Sequence, residues 1–205
     1  MSLTDMKKIN YMFWRLFKNQ KGLAAVEFAL ALPLMIILTF GSIEVTLYIL
    51  ISQKVERVSI NLSDLVAQST TINTTQLDEI IKAASQVMLP YNFGADGYAV
   101  ISSVTKTGTN APVVNWQYVS SGTAQTSKIG VVGSNATLPS GFTMVDKDNV
   151  IITEVFYNYK PILSGTIYSS SQIYRYSIYK PRLGNLTTLS WIFPDRETRR
   201  QLCLS

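Results

Sequence analysis

Gly22 and Glu27 are the residues of this chain whose types and spacing point most directly to chemistry. Proteolysis after Gly22 would leave Leu23 with a free α-amine, whose unperturbed pKa is about 7.7–8.0. Glu27 would then lie about one helical turn from that cation. The carboxylate could pair with an α-amine of its own chain or of a neighbouring chain. A second interpretation has the Glu27 side chain simply extend toward polar headgroups from the edge of an apolar segment.

The composition argues against most enzyme chemistries. The chain has no His, so no histidine triad, histidine metal site or imidazole switch can be built. A single cysteine, Cys203, excludes an internal disulfide and any CxxC motif. The net charge of +5, from 18 basic and 13 acidic residues, is small for a nucleic-acid binder. We therefore expect a protein that is not an enzyme, without a cofactor, a metal or a nucleic-acid partner.

Two weaker candidate sites have simpler interpretations. The run Asp146-Lys147-Asp148-Asn149 suggests calcium, but it lacks the Gly and distal Glu of an EF-hand loop. We predict a plain turn before a strand there. The aromatic residues of the C-terminal half could form a sugar-binding face, although we expect most of them to pack in the core and across strands. They are Tyr98, Trp116, Tyr118, Tyr157, Tyr159, Tyr168, Tyr174, Tyr176 and Tyr179.

The motif around Glu27 lies in a long apolar run, residues 23–51, whose only charges are Glu27 and Glu44. Its first 21 residues, 23–43, would make a helix about 32 Å long at ~1.5 Å per residue. That length matches a hydrocarbon core of roughly 30 Å. The sequence therefore predicts a transmembrane helix, in preference to a buried helix of a soluble protein.

The flanking charges predict the orientation of that helix. Five basic residues precede the run against one acidic residue, whereas Lys54 and Arg57 follow it. The positive-inside rule places the N-terminus in the cytoplasm and the remainder outside. A cleaved signal peptide would have an apolar region of about 7–15 residues followed by a small-residue cleavage site. The apolar run here is about twice that length, and no clean cleavage site follows it. The preceding basic residues are Lys7, Lys8, Arg15, Lys18 and Lys21, against Asp5.

Several features of this segment occur together. A basic leader ends in Gly22, an AAVEFAL block follows at residues 24–30, an LP pair occupies 32–33, and Gly41 and Glu44 come later. A polar helix then opens at residues 53–57. In this combination, residues 18–65 resemble the N-terminal region of the TadE-like family. Members of that family are pilin-like proteins of the tight-adherence (Flp) pilus machinery of bacteria.

The resemblance implies a precursor that a membrane prepilin peptidase cuts between Gly22 and Leu23. Glu27 and Phe28 would belong to the processing and subunit-contact motif. The partners implied are the prepilin peptidase, other pilin-like subunits, the inner-membrane machinery of the pilus and membrane lipid. The large C-terminal region disfavours the main pilus subunit, because the major pilins of such systems are very short. A minor pseudopilin or assembly factor in the bacterial inner membrane, with a periplasmic C-terminal domain, fits better.

The rest of the chain predicts an α+β, pilin-like fold. Val55, Val58, Leu62 and Leu65 form an apolar stripe that either packs on the chain's own domain or on a partner helix. Thr75 and Asp78 suggest a capping box for a second helix that Pro90 stops. Four strands are predicted at residues 98–105, 113–120, 149–159 and 172–180. They should form a mainly antiparallel sheet packed on helix.

In each of the last two strands, one face is expected to be largely apolar, consistent with an antiparallel sheet packed on helix. The members of these faces are Ile151, Val155, Tyr157 and Tyr159 in one strand and Tyr174, Tyr176 and Ile178 in the other. Residues 105–141 are rich in small polar residues and predict loops or an exposed hairpin.

The predicted organisation has five parts: a cytoplasmic leader, a transmembrane helix, amphipathic helices, a β-rich extracytoplasmic domain and a basic tail. They span residues 1–22, 23–51, 52–90, 91–195 and 196–205. An alternative function is a membrane-tethered module that binds a ligand outside the cytoplasm and has no role in a filament. Gly22 and Glu27 separate the two hypotheses, because a plain tether needs no glutamate inside its anchor.

Overall fold

The computed structural model describes residues 22–120, 126–161 and 170–190. The chain divides between Thr46 and Leu47 into two compact units. One long helix, α1 (Leu23–Ala67, 45 residues), contributes to both of them. The predicted basic leader as far as residue 21, the basic tail and Cys203 lie outside the described residues.

Helix α1 continues through Pro33, although a proline ring removes one backbone N–H from the helical hydrogen bonds. Three hydroxyl groups further along bond within the helix. Thr39 donates to the carbonyl of Met35 at 2.7 Å, Ser42 to that of Thr39 at 2.8 Å, and Thr46 to that of Ser42 at 2.8 Å. These donors find acceptors in their own helix, which suits an apolar surrounding.

The C-terminal part of α1 packs on the chain's own sheet, as the first of the two alternatives for its stripe predicted. Val55, Val58 and Leu62 are fully buried and lie in one core cluster with strand residues Ile101 and Val155. This burial removes apolar surface from water, which stabilises the fold by roughly 25 cal/mol per Å².

The prediction that Leu65 continues this stripe is wrong. Leu65 is exposed, and Val66 is fully buried in its place. The reason is that Ser59 and Ser63 are also fully buried, so the middle of the buried face lies further round the helix than the aliphatic residues alone suggest.

The two serines bring α1 close to the sheet. The Ser59 hydroxyl lies 3.1 Å from the carbonyl oxygen of Thr153 and 2.9 Å from the hydroxyl oxygen of Ser177 and can donate its one proton to either, while the Ser177 hydroxyl donates to the carbonyl of Ser59 at 2.6 Å. The hydroxyls of Ser63 and Ser177 lie 2.6 Å apart. Small side chains leave room for close packing, and their hydroxyl groups satisfy one another in a buried place.

Helix α2 (Thr74–Ser85) has a different cap from the predicted one. The Asn73 side chain accepts a hydrogen bond from the Gln76 N–H at 2.8 Å, and the Gln76 side chain accepts one from the Asn73 N–H at 3.1 Å. The capping box is therefore Asn73 with Gln76, not Thr75 with Asp78, because the chain becomes helical two residues earlier. The helix also ends before Pro90 and gives way to a 3₁₀ turn, Gln86–Met88. A short helix, α3 (Phe93–Asp96), follows.

Four strands form one antiparallel sheet in the order β2-β1-β3-β4. They are β1 (Gly97–Thr105), β2 (Val113–Val119), β3 (Asn149–Tyr159) and β4 (Ser171–Tyr179). Each lies within a residue of its predicted bounds. The α+β prediction, with a long apolar helix followed by an antiparallel sheet, is confirmed.

The residues predicted to share an apolar face do so in both β3 and β4, but the two sets lie on opposite sides of the sheet. Ile151 and Val155 of β3 join the core cluster that contains α1. In β4, however, Tyr174 is paired with Phe156 and Tyr176 with Glu154, so both tyrosines lie on the opposite face. The helix-facing positions of β4 include Arg175 and Ser177, which bond to α1. The side of β4 that faces α1 therefore carries polar side chains at these two positions.

The segment between β2 and β3 covers part of the sheet face opposite α1. Ile129 and Met144 are buried there with Val104, Val150 and Ile152. The predicted loops are present at residues 126–141, but they are not an exposed hairpin, because Ile129 is buried. Strand β3 is central in the sheet and buried on both faces, which explains its nearly continuous apolar sequence.

Candidate functional site

Gly22 directly precedes helix α1, which begins at Leu23. Gly22 is exposed, and a Cβ added to it would meet no heavy atom within 4 Å. The local structure therefore accepts a larger residue at this position. A larger side chain here would therefore meet no steric clash within the described part of the chain.

Glu27 lies on the exposed surface of α1 between two large apolar residues. Val26 and Phe28 are both more than half exposed, and within the described ranges no hydrogen bond or ion pair involves Glu27. A charge in this setting is costly in hydrocarbon, about 2.5–3.5 kcal/mol at a membrane centre on insertion scales. The carboxylate would therefore gain from headgroups or from a polar group of another chain.

The apolar surface of α1 around Glu27 extends for several turns. Large apolar side chains are exposed on it between Val26 and Leu50, and in the described part of the chain α1 is the one helix long and apolar enough to cross a membrane. Its large exposed side chains need an apolar surrounding, either lipid tails or other helices. They include Leu30, Leu34, Ile37, Leu38, Phe40, Ile43 and Val45.

The two glutamates of the apolar run differ in environment. Glu44 is only 5% exposed, whereas Glu27 is exposed. Glu27 is therefore the carboxylate of the run that is available to other molecules.

Residues 22–59 match the TadE-like protein family. This TadE-like segment begins at Gly22, includes Glu27, Phe28 and Glu44, and ends at Ser59, where α1 contacts the sheet. It confirms the resemblance seen in the sequence. No curated protein and no solved structure gives a significant match to the chain.

The family match carries functional information at a coarse level. The TadE-like family is linked to assembly of tight-adherence (Flp) pili, is generally non-enzymatic and implies contacts with other pilus components. Helix α1, the one candidate membrane span among the residues that the structure describes, is compatible with a single-pass membrane anchor.

Beyond the TadE-like segment, the structure contains a buried carboxylate that the sequence analysis missed. Glu154 of β3 is fully buried on the sheet face opposite α1. It accepts hydrogen bonds from the backbone N–H of Lys128 at 2.9 Å, from the Tyr174 hydroxyl at 3.0 Å and from the Ser127 hydroxyl. The sequence signal was a lone charge inside an otherwise apolar strand. Glu154 holds the segment after residue 125 against the sheet.

The surroundings of Glu154 affect nearby side chains. The ammonium group of Lys128 lies 3.8 Å from the centre of the Tyr174 ring, a cation–π arrangement. Burial, and then the negative charge of Glu154, raises the pKa of the Tyr174 hydroxyl well above its ordinary value. Tyr174 therefore stays protonated and donates to Glu154, which suits a structural role.

The aromatic residues proposed as a sugar-binding face are mostly packing residues. Tyr98, Trp116, Tyr157 and Tyr159 are buried, and Tyr98 stacks on Phe156 with ring centres 4.6 Å apart. Tyr168 lies outside the described residues. This agrees with the expectation of core and cross-strand packing.

The Asp146–Asn149 run forms the turn before β3, as expected. Asp146 accepts a hydrogen bond from the Gly108 N–H, and Asp148 bonds to Lys180 and to the Val145 N–H. The hydrogen bond from Lys180, and then that from Val145, lowers the pKa of the Asp148 carboxyl. These carboxylates serve the turn and its contact with the end of β4.

A cavity of about 190 Å³ lies between α2, α3 and the sheet. Its volume is below the roughly 300–1,000 Å³ of typical small-molecule sites. Beside it, the Tyr118 hydroxyl donates to Asp78, and burial, followed by this bond, raises the pKa of Tyr118. The cavity is lined by Asp78, Ile81, Lys82, Ser85, Phe93, Gly94, Gly97 and Ser120.

Proposed function

We propose that this protein is a minor pseudopilin or assembly factor of a tight-adherence (Flp, type IVb) pilus. It acts without catalysis, through contacts of α1 and of the sheet domain with other pilin-like subunits. A prepilin peptidase cuts it between Gly22 and Leu23 at the cytoplasmic side of the inner membrane. The domain after α1's apolar run lies in the periplasm.

One observation carries this proposal: the exposed Glu27 lies inside an exposed apolar helix surface, within the segment that matches the TadE-like family. A simple membrane tether has no use for an exposed carboxylate at this position, because it raises the cost of insertion. A helix that joins other helices can use it, since a polar group of a neighbouring chain compensates the charge. Cleavage after Gly22 would supply such a group, the α-amine of Leu23.

In-cell crosslinking to pilin-like subunits tests the proposal, with the recovered protein sequenced from its N-terminus. We expect the wild-type chain to begin at Leu23 and to crosslink. Glu27→Gln should still insert and be cut, yet crosslink less, because the carboxylate is gone. The loss per contact is modest, about 0.6 kcal/mol for intramembrane polar contacts, but it repeats at each adjoining subunit.

Two variants control this experiment. Glu56→Gln removes an exposed carboxylate from the same helix outside the apolar run and should crosslink as the wild type does. Gly22→Leu should leave the precursor uncut, because the site has room for the side chain and only the peptidase would reject it. Equal crosslinking by wild type and Glu27→Gln, or a wild-type chain that retains Met1, would contradict the proposal.

A further inference from the structure

The two edge strands of the sheet, β2 and β4, differ in how their outer edges are covered. At β2, the Val114 N–H donates to the carbonyl of Ser134 at 3.1 Å, and the Gly133 N–H donates to the carbonyl of Val114 at 2.8 Å. No comparable backbone hydrogen bond reaches the outer edge of β4 from the part of the chain that the structure describes. An uncovered edge strand offers its N–H and C=O groups to a strand of another chain.

The hydrogen-bond pattern identifies which residues of β4 form this edge. The Ser120 N–H donates to the carbonyl of Ala99 at 3.0 Å, so the backbone groups of Ala99 face β2 and not β3. Ala99 is paired with Val155, whose backbone groups therefore face β4 and its partner there, Arg175. Because bonded and non-bonded pairs alternate in an antiparallel ladder, every second residue of β4 points its N–H and C=O groups out of the sheet. These residues are Gln172, Tyr174, Tyr176 and Ile178.

Arg175 is the middle residue of β4 and its only charged one. Its Nη1 group donates to the carbonyl of Tyr174 at 2.9 Å, and its Nη2 group donates to the hydroxyl of Ser52 on α1. The first bond uses an outward-pointing carbonyl that an added strand would need. The second bond fixes the guanidinium group to α1 and keeps it beside the edge.

Without Arg175, a second copy of β4 would be a suitable partner for this edge. Antiparallel pairing centred on residue 175 places Tyr174 of each copy opposite Tyr176 of the other, and aromatic cross-strand pairs stabilise a sheet. The outward N–H and C=O groups of both copies then face one another. The same register, however, places the two Arg175 side chains directly opposite each other, where like charges are destabilising.

We propose that Arg175 guards the edge of β4 against pairing with a second copy of this chain. It occupies the Tyr174 carbonyl, and it brings two like charges together at the centre of the β4–β4 pairing. The guard keeps the sheets of neighbouring copies separate, so that copies brought close together do not join edge to edge. This inference goes beyond the proposed function and depends neither on cleavage after Gly22 nor on a membrane.

Residue-resolved amide hydrogen exchange of the full chain in detergent tests the guard, because it reports on the edge itself and not on association through α1. Exchange is measured at low and high protein concentration. Arg175→Thr removes the guard and introduces a residue that suits strands. Arg57→Thr removes an equal charge from an exposed position of α1 and is the matched control.

A double variant, Arg175→Thr with Tyr176→Pro, tests whether any association uses this edge. The proline removes an N–H that points out of the sheet, so it leaves the pairing with β3 intact and blocks an added strand. The amides of Ile173 and Ser177 bond to β3, and their slow exchange verifies the fold of each variant. If Arg175→Thr does not fold, Arg175→Gln, which is neutral and closer in size, takes its place.

In the wild type we expect the outward amide of Ile178 to exchange fast at both concentrations. In Arg175→Thr it should exchange several-fold more slowly at the higher concentration, and the added Tyr176→Pro should restore fast exchange. Arg57→Thr should behave as the wild type does. Fast exchange at Ile178 in a folded Arg175→Thr variant would overturn the proposal. Slow exchange there in the wild type, in Arg57→Thr or in the double variant would overturn it as well.

Discussion

At the scale of single residues, Glu154 shows how a buried charge can be kept in a sheet. A carboxylate only accepts hydrogen bonds, and here three donors surround it: a backbone N–H, a tyrosine hydroxyl and a serine hydroxyl. Charged groups that are buried without partners are strongly destabilising, whereas partnered ones are tolerated. Glu27 shows the opposite case, a carboxylate on the exposed surface of α1.

Replacing Glu154 tests its structural role. Glu154→Leu should lower the free energy of unfolding by about 2–4 kcal/mol, because it leaves the Lys128 N–H and the Tyr174 hydroxyl without an acceptor. Glu154→Gln keeps one oxygen and should cost less. Urea unfolding of the full chain in detergent measures both, with Glu79→Gln as an exposed control. A Leu variant as stable as the wild type would show that the buried bonds contribute nothing.

At the scale of elements, α1 combines two surfaces with different surroundings. Its N-terminal turns expose aliphatic side chains, whereas Val55, Val58 and Leu62 pack on the sheet. Local sequence predicts such a helix well, because the apolar period and the run length are local properties. The position of a cap is harder to predict. Thr75 and Asn73 are both acceptable cap residues, and the choice depends on where the preceding chain leaves the core.

The cap of α2 can be tested directly. Asn73→Ala should lower the free energy of unfolding by about 1 kcal/mol, since the Gln76 N–H loses its acceptor. Thr75→Ala is the control, because Thr75 is exposed inside the helix and should change stability by only a few tenths of a kcal/mol. If urea unfolding showed a larger loss of stability for Thr75→Ala than for Asn73→Ala, Thr75 and not Asn73 would be the N-cap.

At the scale of the whole molecule, tyrosines with raised pKa values make the folding stability depend on pH in the alkaline range. Burial raises the pKa of Tyr118 and Tyr174, and the carboxylates of Asp78 and Glu154 raise them further. In the unfolded chain both phenols ionise near their ordinary pKa of about 10. Above that pH the unfolded chain releases protons that the folded chain retains, so stability falls as the pH rises.

This linkage predicts a different pH profile for phenylalanine variants. Tyr118→Phe combined with Tyr174→Phe should lose less stability between about pH 8 and about pH 11 than the wild type does. The exposed Tyr176→Phe serves as the control. Urea unfolding of the full chain at each pH gives the difference. Parallel profiles for wild type and double variant would contradict the assignment of the alkaline loss to these two tyrosines.

The sequence by itself determined the long apolar helix and the four strands of this protein, and it contains the Gly22–Glu27 motif on which the proposed role in pilus assembly depends. The apolar run, the strand bounds and the Gly22–Glu27 spacing depend on neighbouring residues, and the family match covers the same segment. Cleavage after Gly22 stays a prediction. The strand order, the buried Glu154 and the outward face of β4 were decided by tertiary structure. They arise from pairing between distant segments, such as Glu154 with Tyr176, and a one-residue change of register exchanges the two faces of a strand.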